Sequence, residues 1–519
     1  MKKKSILLFS LLLVLFTPAC DDYLDVMPDS RTEMDTDEKI ANLLVSAYPA
    51  HNFVYTTEMS SDNTDWKEST LTSANTVQEQ LFAWEDVRDN SGNDSPEDFW
   101  VSSYSAISAA NHALQKIQEL GNPERLDAQR GEALMVRAYN HFYLVNVFGK
   151  HYSEKTSETD LGVPYVEEPE TKVNPPYERV SVAEVYRRVE RDMLEGLSLI
   201  DDNAYTVTKY HFNRKAAYAF AARFYLFSRQ YDKVIQHSNL VLGDNPVEMI
   251  RDMKQFPTLT SDFQSRAKHY VKMEHNANLL ISSLNSSIYS FGNYNSGKKY
   301  LHSKFIAAYE TLQSPGIWGA YSSSLYYLPS ISYTHYITIP KIPYYFEYTN
   351  PVAKTGYAHS IYVVFSADET LLCRAEAYIM KEDYSNALKD LNLWITSHMS
   401  NGTVLTRDKV NDYYSGLEIY KPEEPTPRKP LNPEFTIVSP EQENFLHCLL
   451  HIRRIETIYD GLRWFDVKRF GIKIYRRYLN ANDLVETVLD SLTVDDPRRV
   501  IQIPKSVIDA GLTPNPRNK

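Results

Sequence analysis

Two stretches far apart in the chain, AAYAFAARFYLFSRQYDKVI and ETLLCRAEAYIMKEDYSNAL, carry one rhythm. A small residue (Ala222, Ala375) is followed by an aromatic (Tyr225, Tyr378). A turn comes next, then a second tyrosine (Tyr231, Tyr384) and a small or apolar residue three on (Val234, Ala387). This is the pattern of tetratricopeptide-like antiparallel helix pairs: small residues let helices approach, and tyrosines fill the gap between pairs. Their separation rules out a plain solenoid. Long insertions have to fold back onto the helical scaffold.

Other segments extend the helical reading. In RGEALMVRAYNHFYLVNVFGK, Leu134, Ala138, Phe142, Val145 and Phe148 recur at helical spacing as an apolar stripe, and Gly149 fits a left-handed residue just past the helix end. VSVAEVYRRVERDMLEGLSLI opens on Ser181 with Glu184 three residues on. That is a capping box, with Val180 and Val185 placed as a staple. The texture changes over 255–360, where Tyr, Ser, Asn and Gly become dense, helical periodicity vanishes and short alternations such as 336–338 suggest strands or extended loops. Residues 52–100 form a second such region. Loops of this kind carry function on a rigid scaffold.

The chain begins with Lys2, Lys3 and Lys4 and an apolar run from Ile6 to Phe16, the layout of a secretory signal and shorter than a membrane span. Ala19–Cys20 looks like a bacterial lipobox, with Thr17 where leucine is commonest. Cys20 is then the lipidated first residue of the mature chain, anchored to a membrane rather than spanning one. Asp21 and Asp22 resemble the surface-export signal of Bacteroidetes lipoproteins, and the polar run to Asp37 reads as a tether. Removing a signal with three lysines and no acids takes the formal charge from −12 to −15, which argues against nucleic acid as a partner. Cys373 and Cys448 lie in apolar helical patterns and read as buried free thiols.

Catalytic motifs are absent: no HExxH, P-loop, GxSxG or paired CxxC occurs. His447 and His451 sit one helical turn apart, a spacing that suits metal, but no third ligand is near. The reading is a packed pair, with no metal and no cofactor. What remains is aromatic surface of the kind on which sugar rings stack. SSDNTDWKES offers Asp62, Asn63 and Trp66, with the tryptophan as platform and the polar pair as hydroxyl partners. The later loops offer Trp318, Tyr289 and Tyr294.

The C-terminal third carries a resemblance. IRRIETIYDGLRWFDVKRFG resembles the SusD/RagB pattern through Arg453, Glu456, Gly461, Arg463, Trp464, Asp466, Arg469 and Gly471. IPKSVIDAGLTPNP resembles that family's ending, with Pro514 where glutamine is usual. FWVSSYSAISAANHAL matches through Trp100, Tyr104, Ile107 and Asn111, and GEALMVRAYNHFYLVNVFG through Glu132, Ala133, Arg137, Ala138 and Gly149. The resemblance covers nearly the whole mature chain. It implies a mostly α fold, a tetratricopeptide-like helical-pair scaffold with a loop-rich, partly β variable face. It further implies an outer-membrane lipoprotein facing the cell exterior, which captures oligosaccharides and serves as the lid of a SusC-like TonB-dependent transporter without making or breaking bonds. Oligopeptide capture on the same architecture, a helical glycoside hydrolase and a pure surface scaffold are the alternatives. Trp464 and Trp100 read as structural. The expected division is a signal peptide over 1–19, a lipidated tether over 20–37, an N-terminal region over 38–250 and a C-terminal region with ligand-facing loops over 251–519.

Overall fold

In the computed structural model the two matching segments become two helix pairs with the same turn. Arg214–Phe227 turns into Tyr231–Leu242, and Ala367–Met380 into Tyr384–His398. At each turn a residue other than glycine is left-handed, Arg229 (φ 59°) and Glu382 (φ 57°). The next N–H then reaches back to the tyrosine carbonyl, Gln230 to Tyr225 and Asp383 to Tyr378, both at 2.9 Å, which closes a Schellman-type end. Ala222, Ala375, Val234 and Ala387 are fully buried. Tyr231–Leu242 packs along Ala367–Met380, so the two pairs are neighbours in space.

The structure describes residues 36–67, 75–88, 93–170, 176–260, 262–288, 299–319, 330–331 and 337–517. Cys20, Asp21, Asp22, Tyr289 and Tyr294 lie outside them. Pro96–Glu119, Asp127–Phe148 and Val182–Leu199 stack ahead of the first pair, and Pro440–Glu456 packs on Ala367–Met380 after the second. The fold is mostly helical with small sheets. No described helix is long and apolar enough to cross a membrane.

Three local expectations are corrected. Asp127–Phe148 has no single stripe, because every residue from Gly131 onward is buried; it is the central helix, covered on all sides. Gly149 is extended (φ −123°) rather than left-handed. A Cβ there would meet the Val145 carbonyl oxygen at 2.7 Å, so close approach is what requires glycine. Ser181 caps Val182–Leu199 through the Glu184 N–H, but the Glu184 carboxylate turns to Arg187 and Arg188 instead of closing the box. The complete capping box is Ser95 with Asp98, at the start of Pro96–Glu119.

The strands are β1 (Asp65–Lys67), β2 (Asn278–Leu284), β3 (Tyr300–Leu301), β4 (Ser330–Ile331), β5 (Ile337–Thr338), β6 (Tyr344–Asn350), β7 (Thr355–Ser366), β8 (Ile474–Leu479) and β9 (Val485–Leu492). They form sheets in the orders β3-β1-β8-β9, β2-β7-β6 and β4-β5. The loop-rich stretch also holds short helices, capped by Asp262 and Ser303. One continuous core joins residues from both sides of position 250: the Phe53 ring stacks on Tyr143 at 4.2 Å and lies 5.5 Å from Phe465.

Candidate functional site

Glu58 lies in the Val54–Ser60 helix and Asp62, Asn63 and Asp65 follow it; all four are buried. Their partners come from the far end of the chain. Arg463 donates to both Asp62 carboxylate oxygens (2.8 and 2.9 Å), and Lys429 donates to Asp62 at 2.7 Å. Arg454 donates to the Asn63 amide oxygen (2.9 Å) and to Glu310 (2.7 Å). Arg477 bridges Asp65 and Glu310 at 2.9 and 2.8 Å. Burial pushes the Asp62 carboxyl up, but Arg454, Arg463 and Lys429 outweigh it and hold it well below the usual carboxylate range.

A second buried network adjoins on the same helices. Arg453 donates to Glu369 and Asp466, both at 2.9 Å, and Arg469 grips Glu376 with two bonds (2.6 and 3.0 Å). Glu456 takes the Trp394 indole N–H at 2.8 Å. Gly461 (φ 70°) and Gly471 (φ 57°) are left-handed, and a Cβ on Gly471 would meet the Asn432 carbonyl oxygen at 1.9 Å. Trp464 is wholly buried and Trp100 nearly so. The C-terminal motif is therefore a structural clamp.

These contacts correct three candidate site residues. Asp62 and Asn63 are 4% and 1% exposed, with their polar atoms committed inside the clamp rather than presented to solvent. Trp318 is 3% exposed. Gly316 and Gly319 fold its loop into a tight bridge, and its ring tucks against His451 (4.7 Å) and Trp394. His451 is itself engaged by Ser314 and Tyr414. The described residues hold no cluster able to bind a metal. Cys373 and Cys448 are free and buried.

Trp66 stands apart. Its neighbours in β1, Asp65 and Lys67, point inward, so period-2 alternation turns Trp66 to the other face of the sheet, where it is half-buried. Tyr300 and Tyr478 flank it across the strands, their ring centroids 6.2 and 4.8 Å from its own. The Lys299 ammonium sits 4.4 Å over the indole. This tryptophan lines a cleft of about 750 Å³.

The buried side of the cleft is Phe82, Trp84 and Arg476. Trp84 is left-handed (φ 55°), just past the Thr76–Phe82 helix. Its indole N–H donates to the Ser60 carbonyl at 2.8 Å, and the Arg476 guanidinium lies 4.2 Å from its ring. Burial lowers Arg476 to about 9. Asp86, Asp490, Arg498 and Arg517 also line it, with the Arg498 guanidinium 5.7 Å from the Trp84 ring. Sequence reasoning missed these groups. Trp84 lay in the loop-rich stretch already flagged, but nothing along the chain joins it to Arg476 or Arg517.

Two sequence models of one family match: one described as starch-binding and associating with the outer membrane covers residues 22–226, and one described as the SusD family covers 260–504. The chain belongs to the SusD/RagB family. Solved SusD structures share the fold. A SusD superfamily protein of Bacteroides vulgatus is 19% identical with a TM-score of 0.63, the alignment covering 94% of this chain and 100% of that one. A SusD superfamily protein of Bacteroides thetaiotaomicron is 19% identical at a TM-score of 0.61, covering 92% and 98%. A SusD-like carbohydrate-binding protein of Bacteroides vulgatus is 14% identical at 0.59, covering 91% and 96%. Among curated proteins, no relative matches the chain.

Proposed function

We propose that this SusD-family protein is a cell-surface lipoprotein, anchored through Cys20 and directed outward by Asp21 and Asp22. It binds oligosaccharide or polysaccharide and passes it to a SusC-like TonB-dependent transporter, on which it closes as a lid. The observation that carries the reading is Trp66, half-buried in the wall of the 750 Å³ cleft between Tyr300 and Tyr478. A flat apolar ring beside paired carboxylates and guanidinia suits a sugar, which has an apolar face and a hydroxyl edge. Asp86 and Asp490 are held by Arg517 and Arg498 at 2.8 and 2.5 Å. Carboxylates so fixed can accept hydroxyl protons in hydrogen bonds, which supports binding over acid–base chemistry.

The test is calorimetric titration of the purified protein with plant, host and microbial glycans beside mixed oligopeptides. A glycan is expected to bind, and Trp66→Ala to weaken it roughly five- to 150-fold, the scale of one lost aromatic stacking contact at about 1–3 kcal/mol. Binding of peptides alone would move the protein to peptide capture. A glycan bound equally well by Trp66→Ala would displace the site from this cleft.

A further inference from the structure

The groove between the helices Pro96–Glu119 and Asp127–Phe148 already holds backbone with side chains. Residues 162–167 run there outside any helix or strand. The Tyr104 hydroxyl donates to Pro164 O at 2.8 Å, and the Val166 N–H donates to His141 Nε2 at 3.1 Å. Asn111 Nδ2 donates to Val166 O and Arg137 to Glu167 O, both at 3.1 Å. Burial lowers His141 to about 3, so its ring is neutral and Nε2 accepts. The two helices thus form rungs, Tyr104 with His141 and then Asn111 with Arg137.

The ladder continues past the stretch it holds. On the same face of the first helix come Gln115 and Gln118, with Asn122 just past its end, and the second helix continues with Leu134 and Arg130. These residues line a cleft of about 560 Å³. From Asn111 to Gln118 the helix rises about 10 Å, which about three residues of extended chain match. Gln115, Gln118 and Asn122 are exposed, and their side chains make no hydrogen bond among the described residues. Each offers an acceptor and a donor, the complement of a peptide group. Arg137 is 7% exposed, and its Nε and one terminal nitrogen are used on Asp192, Asn111 and Glu167. Its other terminal nitrogen donates to nothing among the described residues, and Arg137 lines the cleft.

Charge narrows the ligand further. Arg137 answers Asp192, Arg130 answers Glu195, and Arg188 and Arg191 answer Glu167. Exposed Glu168 is the lining carboxylate left without a cation among the described residues. Leu114, Leu134 and Pro169 add apolar contact. Such a cleft suits a backbone that carries a basic and an apolar side chain. It does not suit the chain's own residues 21–35, which carry six acids and one base.

We propose that this cleft docks an extended, basic segment of a partner polypeptide, gripped by its backbone as the groove grips residues 164–167. The site shares no lining residue with the Trp66 cleft and does not depend on what that cleft binds.

The experiment selects random heptapeptides, displayed inside a loop of a phage coat protein, on the purified protein. Enriched peptides are synthesised with both ends blocked and titrated by fluorescence anisotropy. They are expected to carry Lys or Arg, and to bind the Gln118→Ala/Asn122→Ala double variant about tenfold more weakly. Both residues are exposed, so that variant should keep the parent's thermal midpoint. Replacing the peptide's basic residue by glutamate should cost about fivefold. N-methylation of the peptide backbone, which removes N–H donors and keeps the side chains, should abolish binding. Enrichment of no peptide would overturn the proposal, as would peptides bound equally well by the double variant or after N-methylation. Peptides whose binding is lost in Trp66→Ala instead would belong to the sheet cleft and would overturn it too.

Discussion

Asp62 and Trp66 are four residues apart and have opposite fates. Both belong to a polar and aromatic run without helical periodicity, yet Asp62 is pulled inward by three cations and Trp66 is turned outward by strand alternation. Removing one partner of a buried network leaves uncompensated charge, at a cost of about 3–5 kcal/mol. Asp62→Ala should therefore lower the unfolding free energy from denaturant titration by that amount, while the affinity of the remaining folded protein for its glycan stays within twofold. A large affinity loss at unchanged stability would return Asp62 to the ligand site. Glu369 gives a pH prediction. Burial raises its carboxyl, but Arg223 and Arg453 prevail and hold it at about 2, against roughly 4.3 in an unfolded chain. A depressed carboxyl contributes stability above the unfolded value and loses it as pH falls through the folded one. Glu369 should therefore contribute about 3 kcal/mol at neutral pH, lost between pH ~4.3 and about 2. Glu369→Gln should be less stable at pH 7 and show a flatter acid limb in denaturant titrations from pH 6 to 2.

At the scale of elements, helix ends explain what periodicity does not. The two repeat turns place Arg229 and Glu382 in a left-handed conformation that glycine adopts without strain. Glu382 is exposed, and Glu382→Gly is expected to be neutral or to raise stability by up to about 1 kcal/mol, read as a shift in thermal midpoint. Ser95 closes the complete capping box of Pro96–Glu119, and Ser95→Ala should cost about 1 kcal/mol. Both Ser95–Asp98 and Ser181–Glu184 have the right spacing. Only the first closes, because Arg187 and Arg188 compete for Glu184. Sequence spacing names the candidates for a cap, and neighbouring charge selects among them.

At the scale of the molecule, the N-terminal and C-terminal halves are not separable. Asp62 meets Arg463, Glu369 meets Arg223, and β1 runs parallel to β8 across nearly the whole chain length. Fragments 38–250 and 251–519 are each expected to lack cooperative unfolding when expressed alone, whereas the intact chain melts in one transition by circular dichroism. A fragment with a sharp melt of its own would contradict this.

The sequence by itself determined the helical pairs, since small residues and tyrosines at fixed spacing are local requirements of close helix packing. It also determined the family, because the C-terminal motif is a set of residues that must meet in one place. It could not rank Asp62, Asn63, Trp66 and Trp318 as ligand contacts, for exposure depends on partners hundreds of residues away: Arg463 and Lys429 bury the first, and paired glycines tuck the last beside His451. Only the tertiary structure brought Trp66, Trp84, Arg476 and Arg517 around one cleft. Local chemistry fixes what each residue can offer; long-range packing fixes which of those offers is still open.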